Sequence, residues 1–255
     1  MAEWDPAQYL RFSDERLRPA LDLLGRVPMQ AAGRVVDLGC GAGNVTTLLK
    51  ARFPAAEVTG VDSSAAMLAK ARDAAPDCRF EQGGFETWRP SAPVDLLFSN
   101  AALHWTGGHE TLFPNLLSRV APGGWLAVQM PAMHNEALRR LQPEIAAAGP
   151  WAEALHGLAS ARAILAPGEY WDVLKPHAAH LEIWETVYLH ALTGPDAVGE
   201  WAAGSSLRPF LDPLDGEMRA GFRRAYAAAM AVHYPPRADG TTLLPFRRLF
   251  LLAQR

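Results

Sequence analysis

The feature that most constrains this chain is a run near its start. Arg34-Val35-Val36-Asp37-Leu38 leads into Gly39-Cys40-Gly41-Ala42-Gly43, and a helical pattern follows from Asn44 to Ala51. The first segment reads as a short buried strand. The glycines let the backbone turn sharply and leave room for a ligand to lie against it. The helix start aims unpaired N–H groups back at the loop. Strand, glycine turn and helix in that order make a βα unit, and repetition of such units makes a parallel sheet.

The unit does repeat. Glu57 to Asp62 reads as a second strand, followed by a helix from Ser64 to Ala75. Cys78 to Glu81 and Val94 to Asn100 read as the third and fourth strands. A helix from Leu112 to Val120, a turn at Pro122-Gly123-Gly124 and a fifth strand from Trp125 to Met130 follow. Residues 1–30 read as helical, with an N-cap in Ser13 to Arg16 and Pro19 in a first turn. After Pro131 the rhythm changes. Residues 132–178 hold helical stretches broken by Gly and Pro, Leu181 to Tyr188 alternates like a strand, 195–233 is helical, and Leu249 to Ala253 is a last strand. The expected class is α/β: a Rossmann-like sheet with helices on both faces and a helical cap inserted after the fifth strand. The expected divisions are an N-terminal helical lid (1–30), a cofactor-binding core (31–131), a cap insertion (132–178) and C-terminal strands with cap helices (179–255).

Composition excludes several functions. A chain of 255 residues, 49% hydrophobic, has room for one large core and a smaller appended subdomain. A net charge of −3 is wrong for gripping DNA or RNA, so no nucleic-acid partner is expected. No apolar run approaches the roughly 20 residues that span a bilayer, and Met1-Ala2-Glu3-Trp4-Asp5 does not begin a signal peptide. A cytoplasmic protein without a membrane partner is expected. Cys40 and Cys78 lack metal-ligand spacing, so no metal is expected, and both read as small buried apolar residues. Oligomeric state leaves no signal in the sequence.

The ligand class follows from the glycine loop and two acids. Asp62 ends the second strand, where a carboxylate can accept hydrogen bonds from both ribose hydroxyls; it can also cap the following helix. The loop is G-x-G-x-G, not the G-x-G-x-x-G of dinucleotide sites, and Asp37 precedes it. A carboxylate there repels a pyrophosphate. It attracts the ammonium and sulfonium of S-adenosylmethionine, which has no phosphate.

The chain resembles the class I methyltransferases, and within them the trans-aconitate 2-methyltransferase family. The resemblance is carried by Trp4-Asp5-Pro6, Tyr9-Leu10-x-Phe12, Glu15-Arg16, Arg18-Pro19, Asp37 to Gly41, Gly60-x-Asp62-Ser63 and Asn100-Ala101. Leu126-Ala127-Val128-Gln129-Met130-Pro131, Leu207-Arg208-Pro209 and Arg248-Leu249-Phe250 extend it through most of the chain. The resemblance implies methylation of one carboxylate of a small polycarboxylate, giving a monomethyl ester. A carboxylate is already anionic at neutral pH and needs no general base.

On that resemblance, Gly39, Gly41 and Gly43 line the methionine moiety and Asp37 helps to order it. Asp62 binds ribose, with Ser63 and Met67 beside the adenosine, Met67 as a core residue that touches adenine. Asn100 and Ala101 end the fourth strand near the methyl group. His104 and Trp105 face the acceptor, and His104 is a possible base for a non-carboxylate acceptor. Arg208 and Arg248 clamp carboxylates through paired hydrogen bonds. Tyr9, Arg16 and Arg18 close an N-terminal lid. Plainer readings stand beside these: surface ion pairs for both arginines, a loop histidine at His104, core packing for Trp105 and Tyr9. The chain departs from the family at Gly84, where an acid for the adenine amino group is expected, leaving adenine on Phe85 and backbone. It departs again at His104, where the family has Gln, and in Ala132 to Arg139. Methylation of a different small acceptor and cofactor binding without catalysis are the alternatives. An NAD-dependent oxidoreductase is disfavoured by the loop spacing.

Overall fold

A computed structural model describes residues 17–158, 164–204 and 206–255. Tyr9, Arg16 and the N-cap expected in 13–16 lie outside the described residues. The first described helix, α1 (Arg18–Arg26), has Pro19 in its first turn and buries Leu21, Leu23 and Leu24.

The sheet is built from β1 (Arg34–Leu38), β2 (Glu57–Asp62), β3 (Arg79–Gln82), β4 (Val94–Asn100), β5 (Val120–Pro131), β6 (His180–Leu192) and β7 (Thr242–Gln254), in the order β3-β2-β1-β4-β5-β7-β6. Strand β1 pairs in parallel with β2 and β4, β2 with β3, and β4 with β5; β7 runs antiparallel to β5. Helices α2 (Asn44–Arg52) and α3 (Ala65–Ala74) connect β1 to β2 and β2 to β3. Helix α4 (His109–Ser118) connects β4 to β5. Right-handed crossovers running outward in opposite directions from β1 put these helices on opposite faces. The strand order reverses between β1 and β4, and in open α/β sheets the crevice at the carboxyl ends of such strands takes the ligand.

Both faces of the central strands are covered, which is why β4 and β5 read as nearly continuous apolar runs. Leu96, Leu97, Phe98, Val128 and Met130 are all buried. Asp95 Oδ2 accepts from the backbone N–H of Gly33 and Arg34 at 2.7 and 2.9 Å, pinning the start of β1 to β4. The turn expected at Pro122 to Gly124 lies inside β5 as a bulge. Val94 pairs with Val120 and Leu96 with Trp125, so the residues between have no counterparts on β4. Gly123, at φ +80°, supplies the conformation this needs. Strands β6 and β7 extend well beyond the segments expected from alternation. Cys40 is buried as expected, but Cys78 is only half-buried.

Contacts divide the chain into two compact units. One comprises Met1–Pro131, Ile164–Thr186 and Arg248–Arg255, and the other Ala132–Ala163 and Val187–Arg247. From sequence the boundaries fall after 30, 131 and 178; by contacts they fall after 131, 163, 186 and 247. The first unit also contains α6 (Pro167–Leu174). The second holds α5 (Ala137–Ala148), α7 (Ala197–Ala203), α8 (Arg208–Leu211) and α9 (Gly216–His233). Its own core includes Leu138, Trp151, Phe210, Phe222 and Tyr226. The Tyr226 hydroxyl donates to the Leu138 carbonyl at 2.7 Å, so its polar end is satisfied inside that core. Among the described residues no helix is long and apolar enough to cross a membrane.

Candidate active site

The loop between β1 and α2 does at three glycines what other residues resist. Gly39, Gly41 and Gly43 have φ of +81°, +54° and +87°, the left-handed region. Their surroundings differ. A Cβ on Gly39 would lie 2.3 Å from the Ala102 Cβ and 3.2 Å from the Phe85 ring. One on Gly43 would lie 3.0 Å from the Cα of Ala71, so this glycine lets α2 approach α3. A Cβ on Gly41 would meet nothing within 4 Å. Of the three, Gly41 has open space before it, and Gly39 forms the floor where β4's exit touches the loop.

Asp62 holds the loop open. Its Oδ2 accepts from Gly41 N–H at 2.9 Å and its Oδ1 from Ser64 N–H at 2.8 Å. The cap of α3 is Ser64, whose hydroxyl accepts from Met67 N–H at 3.3 Å. Asp62 is therefore the brace between β2 and the glycine loop, and each oxygen keeps a lone pair for a ligand. Asp37 is placed differently. It is 1% exposed, and its Oδ2 accepts from the Thr46 hydroxyl of α2 at 2.7 Å. Burial pushes its carboxyl up to about 7, the Thr46 hydrogen bond opposes that, and the nearby Asp62 charge adds to it.

Ser63 and Met67 line the edge beyond Asp62. Met67 is 43% exposed, so it is not the core residue expected from its helix. Gly84 and Phe85 are half-buried after β3. The Phe85 carbonyl accepts from Arg119 Nη1 at 2.9 Å, which steadies the ring against Gly39. The Thr106 hydroxyl donates to Glu86, tying this loop to the turn after β4.

That turn carries the acceptor-side candidates. Asn100 ends β4, and Ala101 follows with φ +51°, a conformation that costs a non-glycine residue roughly 1–2 kcal/mol. The Ala101 N–H is held by the Gln129 carbonyl at 2.9 Å. A one-turn 3₁₀ helix, Leu103–Trp105, presents His104 and Trp105 with ring centroids 4.6 Å apart. Trp105 is 64% exposed, which rules out the core reading. Beneath the turn lies His109, a buried residue outside the expected set. A carbonyl only accepts, so the 3.0 Å contact of His109 Nε2 with the Leu103 carbonyl puts the proton on Nε2. Nδ1 then accepts from the Tyr170 hydroxyl. Burial lowers the pKa of His109, keeping it neutral, as befits a strut.

Strand register adds two residues to this face. Gln129 on β5 pairs with Asn100 on β4 and with Phe250 on β7, and Arg248 pairs with Pro131. Side chains on directly paired positions share a face, so Asn100, Gln129, Phe250 and Arg248 point the same way. Gln129 is fully buried and Arg248 nearly so. Asn100 Oδ1 and both polar atoms of the Gln129 amide have no hydrogen-bond partner among the described residues. Such deficits cost about 1–3 kcal/mol per group. The first compact unit thus gathers the glycine loop, Asp37, Asp62, Phe85, Asn100, His104, Trp105 and Arg248. Arg208 belongs to the second, where its side chain is 67% exposed, 3.9 Å from Asp212. Gln129, Thr46 and His109 were not singled out from sequence. The signal for Gln129 is a lone amide in a buried strand; the other two give none.

The site fits S-adenosylmethionine: open space at Gly41, a braced carboxylate at the end of β2, and an unsatisfied buried acceptor, Asn100 Oδ1, across from the loop. Residues 35–124 match the model of a methyltransferase domain. A trans-aconitate 2-methyltransferase of Methylobacterium nodulans is 51% identical, the alignment covering 100% of this chain and 99% of the relative. One of Paracidovorax citrulli is 49% identical with the same coverage. In fold, the chain is similar to the YcgJ protein of Bacillus subtilis, with a TM-score of 0.63 at 14% identity over 93% of this chain and 98% of that one.

Proposed function

Since the chain belongs to the trans-aconitate 2-methyltransferase family, we propose that it methylates one carboxylate of trans-aconitate with S-adenosylmethionine, releasing a monomethyl ester. The observation that carries this reading is the braced glycine loop. Asp62 fixes the Gly41 N–H while leaving the space before Gly41 open, and the buried Asp37 carboxyl lies behind the loop, where a cation favours its ionised form.

When bound, the cofactor supplies a methyl carbon whose bond to a positively charged sulfur breaks toward sulfur as the acceptor oxygen bonds to carbon, so no proton changes hands. The protein's work is to hold and orient. Asp62 receives the ribose hydroxyls on its remaining lone pairs. Met67 and Ser63 border the adenosine, and Phe85 with the Gly84 backbone stands where the family's acid would be. Burial pushes the Asp37 carboxyl up to about 7, and a cation beside it would favour the ionised form. Ala101, locked left-handed, presents the backbone after Asn100 to the loop. Arg248, buried on the sheet face beside Gln129, takes a carboxylate that does not react. His104 lines the acceptor side without acting as a base, since a carboxylate has no proton to remove. Positioning by such groups supplies much of the acceleration a reaction of this kind needs. The protein works as a cytoplasmic enzyme on a small anion, a setting that its free cysteines suit.

The test is a transfer assay with methyl-labelled S-adenosylmethionine over a panel of small di- and tricarboxylic acids. Trans-aconitate is expected to give the highest kcat/KM, with a base-labile ester as product. Labelling of none of the acids, or of an amine or phenol instead, would refute the reading.

A further inference from the structure

Gln129 is the anomaly of β5. Its neighbours Leu126, Ala127, Val128 and Met130 are all buried and apolar, and Gln129 itself is 0% exposed. Its backbone is fully used by the flanking strands and by Ala101 N–H. Its side chain is not: neither Nε2 nor Oε1 has a partner among the described residues. Exchanging the two amide ends would change nothing, since both are unsatisfied. An amide that buys no stability here would be better replaced by Met or Leu, and buried polar groups left without partners call for an explanation.

Position supplies one. The glycine loop follows β1, Asn100 lies at the end of the next strand, and Gln129 pairs with Asn100 one strand further on. Neighbouring strands are about 4.8 Å apart, so Gln129 stands one such step beyond Asn100 from the cofactor loop. Ala102 against Gly39 marks where β4's exit meets that loop. Asn100 Oδ1, an acceptor, faces the requirement of a cationic methyl donor. The Gln129 amide, neither end of which has a partner among the described residues, can offer Nε2 as a donor to an anion. On its other side the paired residue Phe250 is stacked on Trp184 with centroids 4.9 Å apart.

We infer that Gln129 binds the reacting carboxylate of the acceptor through Nε2, and so determines which oxygen is methylated. A neutral amide suits this role better than a guanidinium. It donates one hydrogen bond and leaves the oxygen's other lone pair nucleophilic, whereas a two-pronged arginine engages both oxygens and draws off their charge. Gln129 receives an anion because the proposed reaction is carboxyl methylation, and its role stands on that reading.

The test uses the full-length protein and Gln129→Met, which keeps the volume and removes the amide. The variant is expected to melt no lower than wild type without acceptor, and to bind S-adenosylhomocysteine within about twofold of it. Its KM for trans-aconitate should rise at least tenfold. With S-adenosylhomocysteine present, trans-aconitate should raise the melting temperature of wild type and not of the variant. Gln129→Asn, with the amide drawn back by one carbon, should recover part of the KM. A Gln129→Met protein that fails to fold or melts several degrees lower would show a structural amide and overturn the assignment. So would a stable variant with wild-type KM on an acid that wild type methylates. A wild type that methylates no polyacid, while still binding S-adenosylhomocysteine, would sink carboxyl methylation and the role of Gln129 with it.

Discussion

The cofactor side and the acceptor side of this crevice are built on opposite principles. On the first, protein satisfies protein: Asp62 accepts from Gly41 and Ser64, Asp37 from Thr46, and Ser64 caps α3. On the second, one and two strands further across the sheet, Ala101 is held in a strained conformation and the Gln129 amide is buried without a hydrogen-bond partner among the described residues. A loop that must take the same cofactor each time is preorganised by its own backbone. On the proposed reading, the Gln129 amide is kept for the right anion, because an imperfect ligand would leave this buried group unpaired. Substitutions on the cofactor side should therefore lower the stability of the fold, and those on the acceptor side should damage kinetics alone.

The largest expected effect is at Gly39. Gly39→Ala meets Ala102 and forces an L-residue into φ +81°, which together should cost roughly 2–5 kcal/mol of stability. Gly41→Ala, with open space, should cost about 1–2 kcal/mol and act chiefly by obstructing the cofactor. Urea unfolding beside titration with S-adenosylhomocysteine separates the two, and equal losses of stability would erase the distinction drawn between these glycines.

Asp62→Ala comes next. Losing the brace and the ribose contacts should weaken S-adenosylhomocysteine by about 1–3 kcal/mol, measured by calorimetry. An unchanged affinity would remove Asp62 from the site. On the acceptor side, Arg248→Ala should raise the KM for trans-aconitate about tenfold while leaving S-adenosylhomocysteine within about twofold. Arg208→Ala should do less, since exposed ion pairs such as Arg208–Asp212 contribute little. The reverse ranking would make Arg208 the principal anion-binding residue.

Asp37 couples the comparison to pH. Its folded pKa lies near 7 against 3.8 in an unfolded chain, so the folded protein holds this proton more tightly. Its contribution to stability therefore falls as pH rises from about 4 to about 7. A cationic cofactor favours the ionised form, so binding below pH 7 must expel the proton. S-adenosylmethionine should bind about tenfold more weakly at pH 6 than at pH 8, with proton release visible in buffers of different ionisation heat, and Asp37→Asn should flatten the profile. The smallest effect belongs to His104→Gln. With no proton to abstract, activity on trans-aconitate should stay within about threefold; a loss of about 10³-fold would mark His104 as a base.

Much of this was legible in one dimension because its causes are local. Strands bounded by turn residues, glycines at positive φ and an acid at a strand end are decided by neighbours along the chain, so β1, the loop and Asp62 could be read directly. The bulge at 121–124 could not, since Pro122-Gly123-Gly124 has the composition of a turn and only pairing with Val94 and Leu96 keeps it in the sheet. Nor could the exposure of Met67 and Trp105, because large apolar side chains are assigned to a core by default.

What the sequence determined by itself is the α/β class, the cofactor loop and the chemistry of its two acids, all set by residue type and short-range spacing. What only the tertiary structure decided is how those groups are partnered. It made Asp62 a brace with Ser64 as the cap, moved Asp37 toward neutrality by burying it, and set Gln129 beside Asn100 with no hydrogen-bond partner for its amide among the described residues. Burial and cross-strand register depend on residues dozens of positions apart, and desolvation, which raises a pKa or leaves an amide wanting, exists only once those residues have met.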